Sequence, residues 1–550
     1  MTNSFRPPRP ARLANVKPFD LAVVLLILAL VVLVALTFGD YGISNDEEVQ
    51  HRYGEMIIGY YASGLSDQTL FHFGNLYLYG GLFDIIAVLL AKALPFEPYA
   101  IRHVLSALIG LGGIWAAAAT ARLLAGPRAG FITALALAIC GVWYGGMFNH
   151  TKDIPFAAAM MAAAYFLVRA VRDLPAPRLR HIGLFGLFLG AALGLRATGL
   201  LMFGYLALAI GLRAWSLGAD GWQARGRFFV ISVLRFVPAV VIAYAIMIAA
   251  WPWAALEPDN ALRAIFAFAH FHYPIRTMLS GHVYEMGDVP RWYVPLYLAI
   301  KLPLIIWMGA AIAVSATLWT LLARGSGRKD RWDWQTSEIA LLALMIVVPV
   351  TCQVIGHGPA FTGMRHFLFV VPPLAVLAAV GLDDVLSFFS RGNRLVATAA
   401  YAIVGLAILL DANNLVRLHP DEYLFFNSLV GGLEGASRRF DTDYWVNIMP
   451  EAVDDLQTFL NKNHSWRPGQ RYSVAVCGER VSFEKEADPR LQITGDWDNA
   501  DFFIAPTHMD CDRALDGKVV ATIERMGVPI GVVKDRRALT QRELARAPRR

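Results

Sequence analysis

Three consecutive acids, Asp46, Glu47 and Glu48, stand in the stretch YGISNDEEVQHRYG, directly after one of the most apolar runs of the chain, residues 19–38. Carboxylates at the mouth of a membrane helix are costly to keep there, which makes them candidates for function. Asp153 follows Lys152 in MFNHTKDIP, Arg196 sits in LRATG, and Arg365 and His366 close IGHGPAFTGMRH; each of these motifs also abuts an apolar run. A hydroxyl near neutral pH is a poor nucleophile, and a carboxylate within hydrogen-bond reach takes its proton as a new bond forms. Arginine and lysine hold a phosphate and stabilise the charge it gains as a leaving group. Transfer from a phosphate-linked donor at a membrane surface therefore needs one or two carboxylates, a few cations and a groove between helices.

The elements that must position these groups follow from composition. Of 550 residues, 56% are hydrophobic and 17% charged, with a mean hydropathy of +0.47. That is too apolar for a soluble protein of this length and reads as a polytopic α-helical membrane protein. The net charge of +6 does not point to nucleic acid, because the basic residues sit in short loops between apolar runs. Arg6, Arg9, Arg12 and Lys17 precede the first run, and Arg122 with Arg128 form a second cluster. Further clusters are Arg169, Arg172, Arg178 and Arg180; Arg213, Arg225 and Arg227; Arg324, Arg328, Lys329 and Arg331; and Arg391 and Arg394. The positive-inside rule places each of them in the cytoplasm. The N-terminal tail, basic and without a small-residue cleavage site, reads as the flank of a retained signal-anchor. Expected spans are 19–38, 100–123, 129–147, 155–171, 182–196, 199–215, 230–250, 293–322, 339–355, 366–389 and 395–410, about eleven in all. The run 76–95 carries Asp84 and Lys92 and would reverse every later basic loop if it crossed. It is therefore expected as an interfacial or re-entrant helix on the outer side. The loops 39–99, 147–155, 195–199, 251–292 and 355–366 then share one working face with everything after Asp411.

Residues 1–411 form the expected membrane module and 412–550 a small periplasmic α+β domain. Residues 451–463 have helical apolar spacing, while 471–478, 500–506, 518–524 and 529–535 read as strands. Cys477 and Cys511 are the only cysteines of this tail, and an oxidising compartment would allow them to pair. Cys140 and Cys352 lie in expected spans and read as ordinary thiols. No internal repeat of the kind many transporters carry is visible.

Four motifs placed along this topology resemble the GT-C glycosyltransferases: NDEE after the first span, HTKDIPFA opening the fourth, LRATGL between the fifth and sixth, and GMRHFLFVVPPLAVLAA opening the tenth. The most similar type is the protein O-mannosyltransferase and aminoarabinose-transferase group, glycosyltransferase family 39-like. LHPDEYLFFNSLVGGLEGASRRFDTDYW, residues 418–445, also resembles a segment of bacterial phospholipid-carrier-dependent glycosyltransferases. The resemblance runs to about Trp445. It implies an inverting transfer of a sugar from a polyprenyl-phosphate donor to an acceptor hydroxyl of a protein, lipid or glycan, at the periplasmic face of a bacterial inner membrane. It also implies Asp46 as catalytic base, Glu47 as its neighbour and helper, and Asp153 as the acid that orients the acceptor or the first-loop carboxylate. Lys152, Arg196 and Arg365, with His366 beside the last, would hold the donor phosphate; RATG stands where some relatives have a Lys-Gly pair. No organic cofactor or bound nucleotide is implied. Divalent-ion dependence differs between branches of that family, and no metal-ligand spacing stands in this sequence.

Each motif has a plainer reading. Acids after a signal-anchor are often a solvated flank, TKDIP is a good helix start, and Arg196 and Arg365 suit snorkelling to head groups. His270, His272 and His282 share one loop, but His-x-His without an acidic partner is common by chance. The alternative function is a transporter or flippase for a lipid-linked or anionic solute. Such proteins place ionisable groups near the bilayer midplane, whereas the expected span interiors here are nearly free of charge. A third reading is an envelope scaffold.

Overall fold

The first helix, Pro18–Thr37, has 20 residues and no charge after Asp20 in its first turn, and its side chains face outward along nearly its whole length. The computed structural model describes residues 17–216, 221–271, 273–324, 334–466 and 469–539. Arg6, Arg9, Arg12, His272, Arg328, Lys329 and Arg331 lie outside the described residues. Seven helices are long and apolar enough to cross a membrane, and ten spans result if each of three bent pairs counts as one. The chain is thus a polytopic helical membrane protein. Pro98–Ala125, Asp153–Arg172 and Arg365–Ser390 are the most buried spans and form its centre, while Arg394–Leu418 is exposed along its face.

The departures from the expected eleven spans have local causes. The run 182–196 forms the helix Leu179–Leu193, 15 residues long, or about 22 Å, short of a bilayer core of about 30 Å. The run 293–322 is not one straight helix, because Pro303 forces Leu302 into an extended conformation and the chain bends by 110° between Tyr293–Lys301 and Leu304–Trp319. At Phe236–Pro238 the bend is 42°. The run 129–147 breaks after Ala138 and bends by 71° into Gly141–Asn149. Gly141 and Gly145 explain what this break admits. A Cβ at Gly141 would lie 2.3 Å from the Glu422 carbonyl oxygen, and one at Gly145 2.5 Å from the Tyr423 nitrogen. The broken helix therefore makes room for the backbone of a segment that returns from the far end of the chain. Residues 76–95 form only the 12-residue helix Leu82–Ala93, about 18 Å long.

At the end away from the acidic motifs, the helices are tied by ion pairs: Arg122 to Asp20 at 2.6 Å, Arg128 to Asp383 at 2.5 Å, and Arg172 to Glu338. A small antiparallel hairpin, β1 (Arg276–Leu279) and β2 (His282–Glu285), stands in the long loop. After the last membrane helix ends at Leu418, residues 419–447 run irregularly against the membrane module, and the tail sheet follows. Its strands are β3 (Tyr472–Val476), β4 (Leu491–Ile493), β5 (Phe502–Pro506), β6 (Lys518–Arg525) and β7 (Val528–Asp535), in the order β4-β3-β5-β7-β6. β4, β3 and β5 are parallel, and β7 and β6 join antiparallel. Helix Met449–Lys462 covers the sheet with Ala452, Val453, Leu456 and Leu460. Short β4 and the helix Arg480–Glu486 give too few residues for periodicity to be read in the sequence. Cys477, after β3, is disulfide-bonded to Cys511, as the sequence allows.

Two outcomes follow. With Leu179–Leu193 crossing alongside the ten spans, reporter fusions after Leu94 and after Leu418 are expected on the same side of the membrane, and one after Asp173 on the opposite side; a Leu94 fusion on the side of Asp173 would remove the topology. Alkylation without reduction is expected to leave Cys477 and Cys511 unlabelled. Their link spans 34 residues, so Cys511→Ser is expected to destabilise the tail by about 3 to 4 kcal/mol in a melting experiment.

Candidate active site

The loop between Pro18–Thr37 and the next helix, Glu47–Ala62, presents Asp46 at the N-cap position. The free N–H groups and dipole of a helix start favour acids there, which accounts locally for three in a row. Their side chains nevertheless go to different places. The Asp46 carboxylate accepts a hydrogen bond from Arg365 Nη1 at 3.0 Å and retains 35% of its side-chain exposure. Glu47 turns into the core with no exposure; its Oε2 accepts from the Ser44 N–H at 2.8 Å and lies 3.2 Å from His103 Nε2. Arg102 Nε lies 3.9 Å from Glu47 Oε1, and Arg102 also donates to Asp84 at 2.8 Å. Glu48 accepts from Tyr99 and Arg52. Glu47, expected as a helper in the same groove, is thus part of a buried acid–base cluster behind the loop.

Arg365 opens the turn Arg365–Val370 that leads into Val371–Ser390. Its guanidinium carbon lies 4.6 Å from the Trp445 ring centroid and 5.3 Å from that of Phe361. His366 packs edge-on to Phe361, with ring centroids 4.9 Å apart. Asp153 is the first residue of Asp153–Arg172 and accepts a hydrogen bond from Arg196, which follows the helix Leu179–Leu193 in an extended conformation. Lys152 Nζ lies 4.3 Å and the Arg196 guanidinium 5.9 Å from the Tyr79 ring centroid, so one aromatic carries both cations.

These groups act on one another. Burial alone would raise the Asp46 pKa, but the charges of Arg365, Lys152 and Arg196 outweigh it and hold the carboxyl below its usual value. Burial lowers the Lys152 pKa, opposed by Asp46. Burial and the nearby Arg365 push His150 well below the usual imidazole value, so His150 is neutral beside Asp153, 3.9 Å away. Three cations and two carboxylates from separate segments thus meet, leaving one positive charge in excess. The buried Nε atoms of Arg365 and Arg196 have no hydrogen-bond partner among the described residues. A cluster with surplus positive charge and unused N–H donors suits an anion with several acceptor oxygens. Among the described residues no group of three or more His, Cys, Asp or Glu side chains is arranged to hold a metal ion.

The chain after Leu418 completes the surroundings. Tyr41, in the Asp46 loop, donates to Glu422 at 3.0 Å, and His419 bridges Glu422 and Asp40 at 2.8 and 3.0 Å. Gly42 N donates to Asn447 Oδ1 at 2.6 Å, and Asn447 donates to Asp421 at 2.8 Å. Arg525 of β6 pairs with Asp421 at 2.8 Å, and Tyr444 bonds His150 at 3.2 Å. Reading the sequence missed Tyr79, His150, Tyr444 and Trp445 as site residues. His150 and the 444–445 pair lie inside the quoted motifs, whereas nothing in sequence marks Tyr79.

Residues 96–238 match the family model for dolichyl-phosphate-mannose-protein mannosyltransferase, the family that the motifs resemble. The matched stretch contains Lys152, Asp153 and Arg196. No curated protein matches the chain. Among solved structures, the chain is similar to ArnT from Cupriavidus metallidurans bound to undecaprenyl phosphate, at 15% identity over 93% of this chain and 97% of that one, with a TM-score of 0.46. It is similar to the same protein in the apo state at 16% identity, 93% and 97% coverage and a TM-score of 0.47. The oligosaccharyltransferase of Archaeoglobus fulgidus in the apo form matches at 13% identity over 90% of this chain and 70% of that one, with a TM-score of 0.47.

Because Glu47 neutralises part of a fully buried charge cluster whereas the Asp46 side chain keeps 35% of its exposure, Glu47→Gln is expected to lower the melting temperature in detergent far more than Asp46→Asn. Removing one member of a buried charge pair typically costs about 3 to 5 kcal/mol. Equal and small shifts for both would place Glu47 outside that cluster.

Proposed function

We propose that the protein is an inverting glycosyltransferase that moves a sugar from a polyprenyl-phosphate donor to an acceptor hydroxyl at the periplasmic face of a bacterial inner membrane. The observation that carries this reading is the meeting of Asp46 and Asp153 with Lys152, Arg196 and Arg365, with two buried arginine N–H groups unused. The polyprenyl chain lies along the apolar helices, and its phosphate meets the cations, with His366 at the same end. The disulfide in the tail and the basic residues at the opposite end of the helices support a periplasmic tail.

The reaction follows from these contacts. The donor phosphate competes with Asp46 for Arg365 and neutralises the cations that depress the Asp46 pKa. Asp46 thereby becomes a stronger base when the donor is in place. It takes the proton of the acceptor hydroxyl as the acceptor oxygen attacks the anomeric carbon from the face opposite the phosphate. The bond from that carbon to the phosphate oxygen breaks, and its electron pair leaves on the phosphate, where the guanidinium and ammonium groups hold the charge. Asp153, fixed by Arg196, orients the acceptor. Glu47 acts from behind, keeping the Asp46 loop in place.

With transfer from labelled undecaprenyl-phosphate sugars as the assay, Asp46→Asn is expected to slow turnover by roughly 100- to 10,000-fold with donor affinity much less changed. A near-normal Asp46→Asn enzyme would remove Asp46 as base. Arg365→Ala is expected to weaken donor binding, and Arg365→Lys to retain part of it, since lysine keeps the charge without the fork. Wild-type donor binding in the alanine variant would make Arg365 a residue that only reaches for head groups.

A depressed carboxyl pKa means that Asp46 stays ionised, and paired to Arg365, until the pH falls through that lowered value. The acid limb of kcat/KM for the free enzyme is therefore expected below the usual carboxylate range, and a limb near neutral pH would contradict it.

A further inference from the structure

The stretch Asp443, Tyr444, Trp445, Val446 and Asn447 touches the site at nearly every residue. Tyr444 reaches His150, Asn447 ties Gly42 of the Asp46 loop, and Asp443 accepts from Tyr423 and, at 3.3 Å, from the Asn447 N–H. Trp445 is 3% exposed, yet its indole N–H has no partner among the described residues. No hydrogen bond of its own therefore explains why this side chain is buried where it is. Its rings instead face Arg365 at 4.6 Å and meet His150 edge-on at 5.0 Å. The next residue, Val446, has a φ of 56°, a left-handed conformation that a β-branched residue adopts only when its surroundings impose it. Gly478 at the end of β3 leaves the room, since a Cβ there would lie 2.6 Å from Val446 Cγ1. The tail thus holds the backbone in an unfavourable state directly after the aromatic that covers Arg365.

We propose that Trp445 is a positioning residue for the anion site: together with Phe361, whose ring centroid lies 5.3 Å from the same guanidinium carbon, it holds the Arg365 guanidinium against aromatic rings, so that the N–H edge is directed to the donor phosphate. The inference rests on the reading of Arg365 as a phosphate holder. A guanidinium packed against aromatic rings keeps its in-plane donors free for oxygen acceptors and loses little further freedom when the anion arrives. Neutral His150 next to Trp445 adds no repelling charge. The tail, by this account, contributes to the site through one aromatic side chain.

The experiment uses the full-length chain in lipid nanodiscs, with undecaprenyl phosphate as probe and undecaprenol, which lacks the phosphate, as control. Calorimetric titration is expected to show about 10-fold weaker undecaprenyl phosphate binding for Trp445→Leu and at most about 3-fold for Trp445→Phe, which restores an aromatic face. Undecaprenol binding is expected to be unchanged in both. In transfer assays the donor KM is expected to rise with the acceptor KM constant. Phe361→Leu, which removes the second ring beside Arg365 without touching the tail, is expected to weaken phosphate binding in the same way and keeps the test open if Trp445→Leu does not fold. Native undecaprenyl phosphate binding in folded Trp445→Leu or in Phe361→Leu, or equal losses in Trp445→Phe and Trp445→Leu, would overturn this role. Arg365→Ala separates the two readings: if it binds undecaprenyl phosphate normally the phosphate site itself is wrong, and if it fails while Trp445→Leu binds normally only the role of Trp445 is wrong.

Discussion

The ion pair between Asp46 and Arg365 joins residues 319 positions apart and can form only if the first loop and the start of a late central helix share one recess. Ion pairs set among apolar helices add little stability once desolvation is counted, so this one is better understood as a requirement on geometry than as a source of binding energy. Every element that touches it is constrained in turn. The helix start at Asp153, the extended Arg196 and the ring of Tyr79 must all approach closely enough for three cations to share two carboxylates. The surplus positive charge is what the proposed function assigns to the donor phosphate. On that reading the cations are preorganised for the anion before it arrives.

The second constraint is the return of the chain after Leu418. Residues 419–447 bring Asp421, Glu422, Asp441 and Asp443 into places with almost no solvent, and each needs a partner. The partners come from everywhere: Tyr41 from the first loop, Arg525 from β6, Thr277 from the long loop and Tyr423 from the segment itself. Lys301, just before the 110° bend, donates to the Tyr423 carbonyl at 2.8 Å. The bend at Pro303 and the break at Cys140 are therefore linked, since both let membrane helices meet the same returning segment. Membrane module and tail share one continuous apolar core, from Leu30 to Val533.

Much of this was legible in the sequence because the relevant signals are strong over long windows. A 20-residue apolar run bounded by basic loops has few physical alternatives, and the parity of those loops kept 76–95 from being taken as a span. The tail strands and the helix after Pro450 also carried clear periodicity. What was not legible depends on single residues acting at a distance. Pro303 and Gly141 break helices whose hydropathy is uninterrupted, because hydropathy does not register a missing N–H or a missing Cβ. The helix Leu179–Leu193 is as long as the run 182–196 expected for it but begins three residues earlier, and Gly194 ends it. Tyr79 lies in an expected loop and gains its place only by folding against Lys152 and Arg196.

The three acids show most directly where sequence stops and structure begins. Successive residues at a helix start point about 100° apart, so three neighbouring carboxylates cannot serve one groove. Sequence alone leaves open which of them does. The fold decides by what each direction offers: Asp46 meets a recess with cations, Glu47 meets buried Arg102 and His103, and Glu48 meets Tyr99 and Arg52 near the surface. Charge around each carboxylate then sets its task. Under the proposed function, a base that waits for its substrate is held ionised by cations that the substrate will claim, and of these three acids Asp46 is the one paired to such a cation, Arg365. Glu47, sealed in the core beside Arg102 and His103, anchors the loop from behind, and under the proposed function this division lets one short motif fix the loop and present the reacting group.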